Sequence, residues 1–347
     1  MSILLFIKDI EIFCLNSNNS IVKKFDKNQK IPVFIHGDCF SALKSFEDGS
    51  INCVITSPPY FREREKNKHF NLNQSIQSYI DNILLIVSEI KRVLKKEGSL
   101  WLNIGDAYSK CSLQLIPQQI AFRMINEQGW MLNNDVIWKK TSYTPSSFKK
   151  RLTNSYEHLF HFVKSKDFYY NFSTLDAKKN RVLSKDGKVI SCSNVTGVNY
   201  KKNILNSEML TSKQKEEALL ALETCLNEIK EGIISDFRIL LKGHNAVNSS
   251  NRKSEIDKKG FIVIKSKYNK PSDVWEILPE KHSIHYAPFP EDLVEFPIKV
   301  SCPPNGVVLD PFCGSGTTNY VAMKNKKRSI GIDINKEFIE YAKNRCK

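Results

Sequence analysis

The chain has no Cys-x-x-Cys pair. Its nine cysteines (Cys14, Cys39, Cys53, Cys111, Cys192, Cys225, Cys302, Cys313 and Cys346) are scattered and odd in number. That argues against a disulfide framework and a zinc ribbon, and suits a reducing cytosol. Long apolar runs are missing too. Met1 to Ile7 is apolar, but Lys8 and Asp9 cut it short, without a basic leader or a small-residue cleavage site, so no signal peptide is expected. No stretch approaches the roughly 18 apolar residues of a membrane span. The expectation is a soluble, cytoplasmic protein. Acidic residues are outnumbered: 37 Asp and Glu against 52 Lys and Arg give a net charge of +15. A folded chain this basic suits a polyanion. Its 347 residues fit one catalytic domain plus a smaller module.

Residues 1–30 carry no functional pattern and read as an edge strand or a loose arm. From residue 31 an α/β rhythm sets in. Ile31 to His36 and Ile51 to Ile55 read as strands, with a helix over Phe40 to Phe46 between them. Tyr79 to Leu94 places Ile80, Ile83, Leu84, Val87, Ile90, Val93 and Leu94 on one helical face, and Glu97-Gly98 should end that helix. Ser99 to Ile104, Asp135 to Lys139 and His158 to Val163 read as strands, with a helix over Ile116 to Gln128. Residues 172–270 are polar and rich in Lys, Asn and Ser, with one amphipathic helix over Lys213 to Ile229. The rhythm then resumes: helix Glu291 to Val300, strand Val307 to Leu309, helix Thr317 to Lys324, strand Ser329 to Ile332, helix Lys336 to Arg345. The alternation implies a mainly parallel sheet with helices on both faces, interrupted by an inserted module.

Two stretches carry chemistry. In the first, strand Val307-Val308-Leu309 runs into Asp310-Pro311-Phe312-Cys313-Gly314-Ser315-Gly316 and then a helix. Glycines in such a turn let the backbone pass close to a ligand at the carboxyl edge of a sheet. About twenty residues on, the next strand ends in Asp333, an acid placed to bind ribose hydroxyls. A dinucleotide site wants a third glycine, where Asn319 stands, and a phosphate loop wants Gly-Lys-Ser/Thr, which is absent. An adenosine ligand without phosphate remains, which suggests S-adenosylmethionine. A lone Gly-x-Gly is also compatible with a plain strand–helix turn.

The second stretch is Ile55-Thr56-Ser57-Pro58-Pro59-Tyr60. Consecutive prolines fix φ and remove two backbone donors, leaving rigid carbonyl acceptors. An aromatic amine is a poor nucleophile because its lone pair is delocalised into the ring. Acceptors on its N–H bonds, here the Ser57 side chain and the Pro58 carbonyl, would draw the nitrogen toward sp³. Tyr60 would offer a ring on which the base stacks. By itself the segment could also be a proline-rich docking loop.

Both motifs, in this order, resemble the circularly permuted β class of DNA amino-methyltransferases of restriction–modification systems. In that class the catalytic motif comes first, a target recognition domain lies in the middle and the cofactor motif comes last. The resemblance covers roughly residues 31–171 and 271–347. It implies a Rossmann-like, doubly wound mixed sheet with the recognition domain at 172–270, so that 1–30 is an N-terminal extension, 31–171 the catalytic half and 271–347 the cofactor half. It implies S-adenosylmethionine as cofactor, double-stranded DNA as partner and a base flipped out of the duplex, with no metal. By resemblance Ser57, Pro58, Pro59 and Tyr60 are catalytic. Phe312, Gly314 and Gly316 line the cofactor pocket, Asp310 faces the methionine end, Asp333 holds the ribose, Asp38 contacts the adenine, and Phe289 in Phe289-Pro290 also touches the cofactor. Trp138-Lys139 and Pro145 through Arg151 resemble the segment beside the target base. Within 172–270, Lys178, Lys179, Arg181, Lys201, Lys202, Lys242, Arg252 and Lys253 could bind phosphates, and His244 and Asn245 could reach base edges.

Ser at the head of the proline motif favours N4 of cytosine, whereas Asp or Asn there is common in N6-adenine enzymes of the class. Methylation at carbon 5 needs a cysteine nucleophile, and Cys302, just before the cofactor strand, reads as structural. The alternatives are an N6-adenine enzyme of the same fold, an RNA or protein methyltransferase, and a DNA-binding protein with vestigial activity. A cognate restriction endonuclease would act separately.

Overall fold

Short apolar runs stopped by Gly, Pro or Asp become the strands of one central sheet. The computed structural model describes residues 4–7, 10–14, 32–61, 75–142, 150–172, 182–183, 189–190, 196–243, 250–267, 271–280 and 290–347. In chain order the elements are β1 (Leu4–Ile7), β2 (Ile10–Cys14), β3 (Val33–His36), α1 (Cys39–Lys44), β4 (Ile51–Thr56), α2 (Ile76–Val93), β5 (Leu94–Ile104), β6 (Tyr108–Ser109), β7 (Ser112–Leu113), α3 (Ile116–Gln128), β8 (Met131–Lys140) and β9 (Tyr156–Val163). Then come β10 (Val182–Leu183), β11 (Val189–Ile190), α4 (Val198–Leu205), α5 (Ser212–Glu231), β12 (Asp236–Leu241), α6 (Ser250–Lys259) and β13 (Phe261–Ser266). The chain closes with β14 (Val274–Ile277), α7 (Glu291–Ser301), β15 (Val307–Asp310), α8 (Thr317–Lys324), β16 (Arg328–Asp333) and α9 (Lys336–Arg345). Contacts divide it into two compact units, residues 1–171 with 272–347, and residues 172–271.

In the first unit the sheet order is β1-β2-β3-β16-β15-β4-β5-β9-β8-β14. The run from β2 to β5 is parallel. β9 is antiparallel to both β5 and β8, so the sheet is mixed, as expected. β4 leads through α2 to β5 on one side, and β15 leads through α8 to β16 on the other. The chain therefore reverses direction between β15 and β4, the position where open α/β sheets bind ligands. The part of residues 1–30 that is described adds two edge strands, with β2 paired to β3.

Alternation along the strands divides the core. Leu100, Leu102 and Ile104 meet the buried stripe of α2 (Tyr79, Ile80, Ile83, Leu84, Val87, Ile90 and Val93). Trp101, from the opposite face, packs edge-on against Phe296 of α7, lies flat on His161 at 4.0 Å between ring centres, and donates its N–H to Ser301 Oγ. The helix-stop expectation at Glu97-Gly98 is corrected: α2 ends at Val93 and Leu94 is already extended, so helix passes into strand with no loop. Gly98 then answers to crowding, since a Cβ there would stand 2.9 Å from the Leu94 side chain and 3.1 Å from the Asn52 carbonyl. α3 ends as its sequence suggests, with Gly129 left-handed at φ +64°.

The second unit has its own core. The antiparallel pair β12–β13, joined through α6, turns Phe237, Ile239 and Leu241 toward α4 and α5. It turns Leu240 and Ile262 toward α6, which meets them with Ile256. α5 begins with a capping box between Thr211 and Gln214 and buries Ala218, Leu222, Cys225 and Ile229. Only this helix was legible from periodicity. Among the described residues, no helix is long and apolar enough to cross a membrane.

Gly316, the left-handed N-cap of α8 at φ +76°, packs so closely on α9 that a Cβ would lie 2.6 Å from the Ala342 Cβ. Gly316→Ala should destabilise the protein by about 2 kcal/mol, from backbone strain and overlap together. In denaturant titrations the double change with Ala342→Gly should recover part of that loss. Wild-type stability of Gly316→Ala alone would show that the turn can relax.

Candidate active site

The parallel order β3-β16-β15-β4-β5 brings five loops to one carboxyl edge. They carry Asp38, Asp333, Asp310 to Gly316, Ser57 to Tyr60, and Gly105-Asp106. Hydrogen bonds lock neighbouring loops. Gly37 N–H donates to the Asp333 carbonyl (2.9 Å), Gly314 N–H to Asp333 Oδ2 (2.9 Å) and Cys313 N–H to the Ile332 carbonyl (2.9 Å).

The tie across the reversal point is Asp310. Thr56 Oγ1, at the end of β4, donates to Asp310 Oδ1 at 2.7 Å. Thr318 Oγ1, in the first turn of α8, donates to Oδ2 at 2.7 Å, and Phe312 N–H donates to Oδ1 at 3.1 Å. Asp310 is 0% exposed. Burial pushes its carboxyl up to about 6, against the pull of these three donors. The sequence reading placed Asp310 facing the methionine end of a cofactor. In the structure the carboxylate is buried and both oxygens accept hydrogen bonds, which join the two motif loops.

Ser57 is half-buried and Pro58 buried. The Pro59 carbonyl accepts the hydroxyl of Tyr79, a buried residue of α2 (3.1 Å). Tyr60 lies over Gly105, where a Cβ would meet its ring at 2.8 Å; glycine at the end of β5 makes room for the aromatic ring. The Tyr60 hydroxyl is bound at both Asn103 Oδ1 (3.0 Å) and Glu157 Oε2 (2.6 Å), and Ser57 Oγ donates to the Tyr60 oxygen (3.3 Å). Glu157, on β9, is 8% exposed and also pairs with Lys140 of β8. Neither Glu157 nor Asn103 was singled out from the sequence. A carboxylate at the start of an apolar strand was the one available signal for Glu157. For Asn103 there was only a polar residue inside an apolar one.

Asp38 is exposed and caps α1, accepting from Ser41 N–H (2.9 Å) and Ser41 Oγ (2.8 Å). Asp333 is half-buried. Besides Gly314 N–H it accepts Asn335 N–H (2.8 Å), and burial outweighs these bonds to push its carboxyl up. Phe312 packs partly buried against the core. Gly314 and Gly316 are both left-handed, at φ +49° and +76°. Phe289 lies outside the described residues, as do 143–149, Lys178, Lys179, Arg181, His244 and Asn245. Trp138 is buried and donates to the Ile277 carbonyl (3.0 Å), while Lys139 pairs with Glu276 across the β8–β14 ladder. Both are thus used in joining β14 to the sheet.

The edge carries acids, two left-handed glycines and an aromatic ring, and the turn 310–318 has no basic side chain. That donor set repels phosphate and fits a cationic, hydroxyl-bearing adenosine compound, which S-adenosylmethionine is.

A permuted doubly wound sheet with such an edge defines an α/β methyltransferase. Residues 51–344 match N6_N4_Mtase, the DNA methylases, and the chain belongs to that family. It is 26% identical over 371 residues to the Type II methyltransferase M.SfiI of Streptomyces fimbriatus, covering 87% of this chain and 88% of that protein. It is 26% identical over 341 residues to the Type II methyltransferase M.Cfr9I of Citrobacter freundii, covering 89% and 85%. The solved PvuII DNA methyltransferase (cytosine-N4-specific) has the same fold, with a TM-score of 0.58 at 19% identity, covering 91% of this chain and 86% of that one.

The raised carboxyl of Asp310 has a signed consequence. The folded state holds this proton at pH values where the unfolded chain has already lost it, so stability falls as pH rises from the unfolded carboxyl range through about 6. Asp310→Asn removes that dependence. Thermal melts over this window should show the wild type losing stability relative to the variant as pH rises, and parallel curves would refute the assignment.

Proposed function

We propose that this DNA methyltransferase transfers a methyl group from S-adenosylmethionine to the N4 amino group of cytosine within a short duplex sequence. The observation that carries the reading is the 2.7 Å bond from Thr56 to Asp310. It fixes the loop of Ser57-Pro58-Pro59-Tyr60 beside the glycine turn, although the two are over 250 residues apart in the chain.

The cofactor, when bound, supplies an electrophilic methyl group on sulfur. Asp333 holds the ribose hydroxyls with lone pairs beyond those given to Gly314 and Asn335. Asp38 faces the adenine and Phe312 packs beside it. Phe289 belongs with them by resemblance. Ser57 Oγ and the Pro58 carbonyl accept the two N–H bonds of the target amine and localise its lone pair. Tyr60 stacks on the base, its ring fixed over Gly105 and its hydroxyl tethered. No side chain forms a covalent bond to the base. Ser57 favours cytosine over adenine, because the motif of N6-adenine enzymes commonly opens with Asp or Asn.

Residues 172–270 would recognise the DNA site. α6 is anchored by the buried Ile256 and leaves Arg252, Lys253, Lys258 and Lys259 exposed, a set suited to phosphates. The similarity to Type II methyltransferases supports a host-protecting role in the cytoplasm, beside a separate endonuclease.

Expression in a methylation-deficient host, followed by mass spectrometry of digested nucleosides, should yield N4-methylcytosine. N6-methyladenine instead would overturn the use of Ser57 but not the reaction class. Ser57→Ala should lower methyl transfer about 100-fold or more while S-adenosylmethionine affinity, measured by calorimetry, stays near wild type; full activity would remove Ser57 from the mechanism.

A further inference from the structure

Methylating an amine leaves a proton to be disposed of. As the nitrogen takes the methyl group, an N–C bond forms and the carbon–sulfur bond of the sulfonium donor breaks, its electron pair staying on sulfur. The nitrogen then holds one proton too many. Ser57 Oγ, the proposed acceptor of the amine N–H, itself donates to the Tyr60 oxygen at 3.3 Å, and the Tyr60 hydroxyl lies 2.6 Å from Glu157 Oε2. The Ser57 and Tyr60 O–H groups thus lead from the amine position toward a carboxylate. Glu157 is 8% exposed, and its other oxygen is paired with the Lys140 ammonium. A nearly buried carboxylate at the end of a hydrogen-bonded chain is more than a brace for a tyrosine, since Asn103 Oδ1, 3.0 Å from the phenol oxygen, could hold the ring alone.

We infer that Glu157 is the terminal proton acceptor of methyl transfer, reached through Ser57 and Tyr60, with Lys140 as the residue that positions its carboxylate. The amine proton passes to Ser57 Oγ, that of Ser57 to the Tyr60 oxygen, and that of Tyr60 to Glu157 Oε2. In sum one N–H bond is lost and one carboxylic O–H is gained. The proton then leaves to water beside the partly exposed Lys140. A weak acceptor suffices because the methylated aminium is a strong acid. The inference rests on the proposed role of Ser57.

The test combines kinetics and binding. Glu157→Gln and Tyr60→Phe should each slow single-turnover methyl transfer about 100-fold, and the double variant should be no slower than Tyr60→Phe. Duplex affinity by anisotropy, and base flipping by 2-aminopurine fluorescence at the target position, should stay at wild-type values. Lys140→Met should slow single-turnover methyl transfer, and Lys140→Arg should restore it. A Glu157→Gln enzyme with the wild-type rate and pH profile would overturn the relay. So would one slowed equally at every pH with its duplex affinity lost in step, which is how a merely structural residue behaves. A wild type that methylates no DNA refutes the proposed function beneath it; a wild type that does, with an unaffected Glu157→Gln, refutes the relay alone.

Discussion

One buried carboxylate organises the protein. Asp310 gathers the end of β4 through Thr56, the start of α8 through Thr318 and the glycine turn through Phe312 N–H. Each partner is itself essentially inaccessible to water or belongs to the turn. An uncompensated charge there would be prohibitive, and three donors reduce that cost without removing it. The result is geometric. The two loops proposed to act on either side of one transferred carbon are bound to a common point, so their spacing follows from covalent and hydrogen-bond lengths and not from the sway of surface segments.

Tyr60 sits at a second such junction. Its ring depends on glycine at 105, its hydroxyl on β5 and β9, and the preceding Pro59 on α2 through Tyr79. Three elements thus fix one aromatic side chain. That density suits a residue on which a flipped base stacks, because a platform free to rotate would leave the amine unaligned with the methyl group.

Much of this was legible in the sequence, and the reasons differ by element. The strands of the parallel core announce themselves as short apolar runs ending in Pro or Gly, and the stripe of α2 is unambiguous at helical spacing. The proline and glycine motifs could be read because they demand unusual backbone. The strand β14 could not: its burial alternates weakly, and it joins the sheet by pairing with β8 rather than by its own composition. Nor could the pair β12–β13 and α6 of the second unit, whose cores are small and whose surroundings are polar. The hydrogen bonds of Asp310 could not be read because a linear motif shows which residues occur and not which way a carboxylate turns. Glu157 and Thr56 escaped notice because each gains its meaning from a partner in a distant segment.

The strand order has a consequence for how the chain is made. β3 and β4 are made long before β15 and β16, which separate them in the finished sheet. Until those final strands arrive, the inner edges of β3 and β4 have no native partner. Over that interval the nascent chain carries unpaired, apolar strand edges. Closure then depends on contacts of very long sequence separation, which form slowly. Completion of the centre of the sheet is therefore also the step that creates the cofactor turn, so a chain stalled or truncated before residue 307 lacks both its central strands and the loop it needs for chemistry.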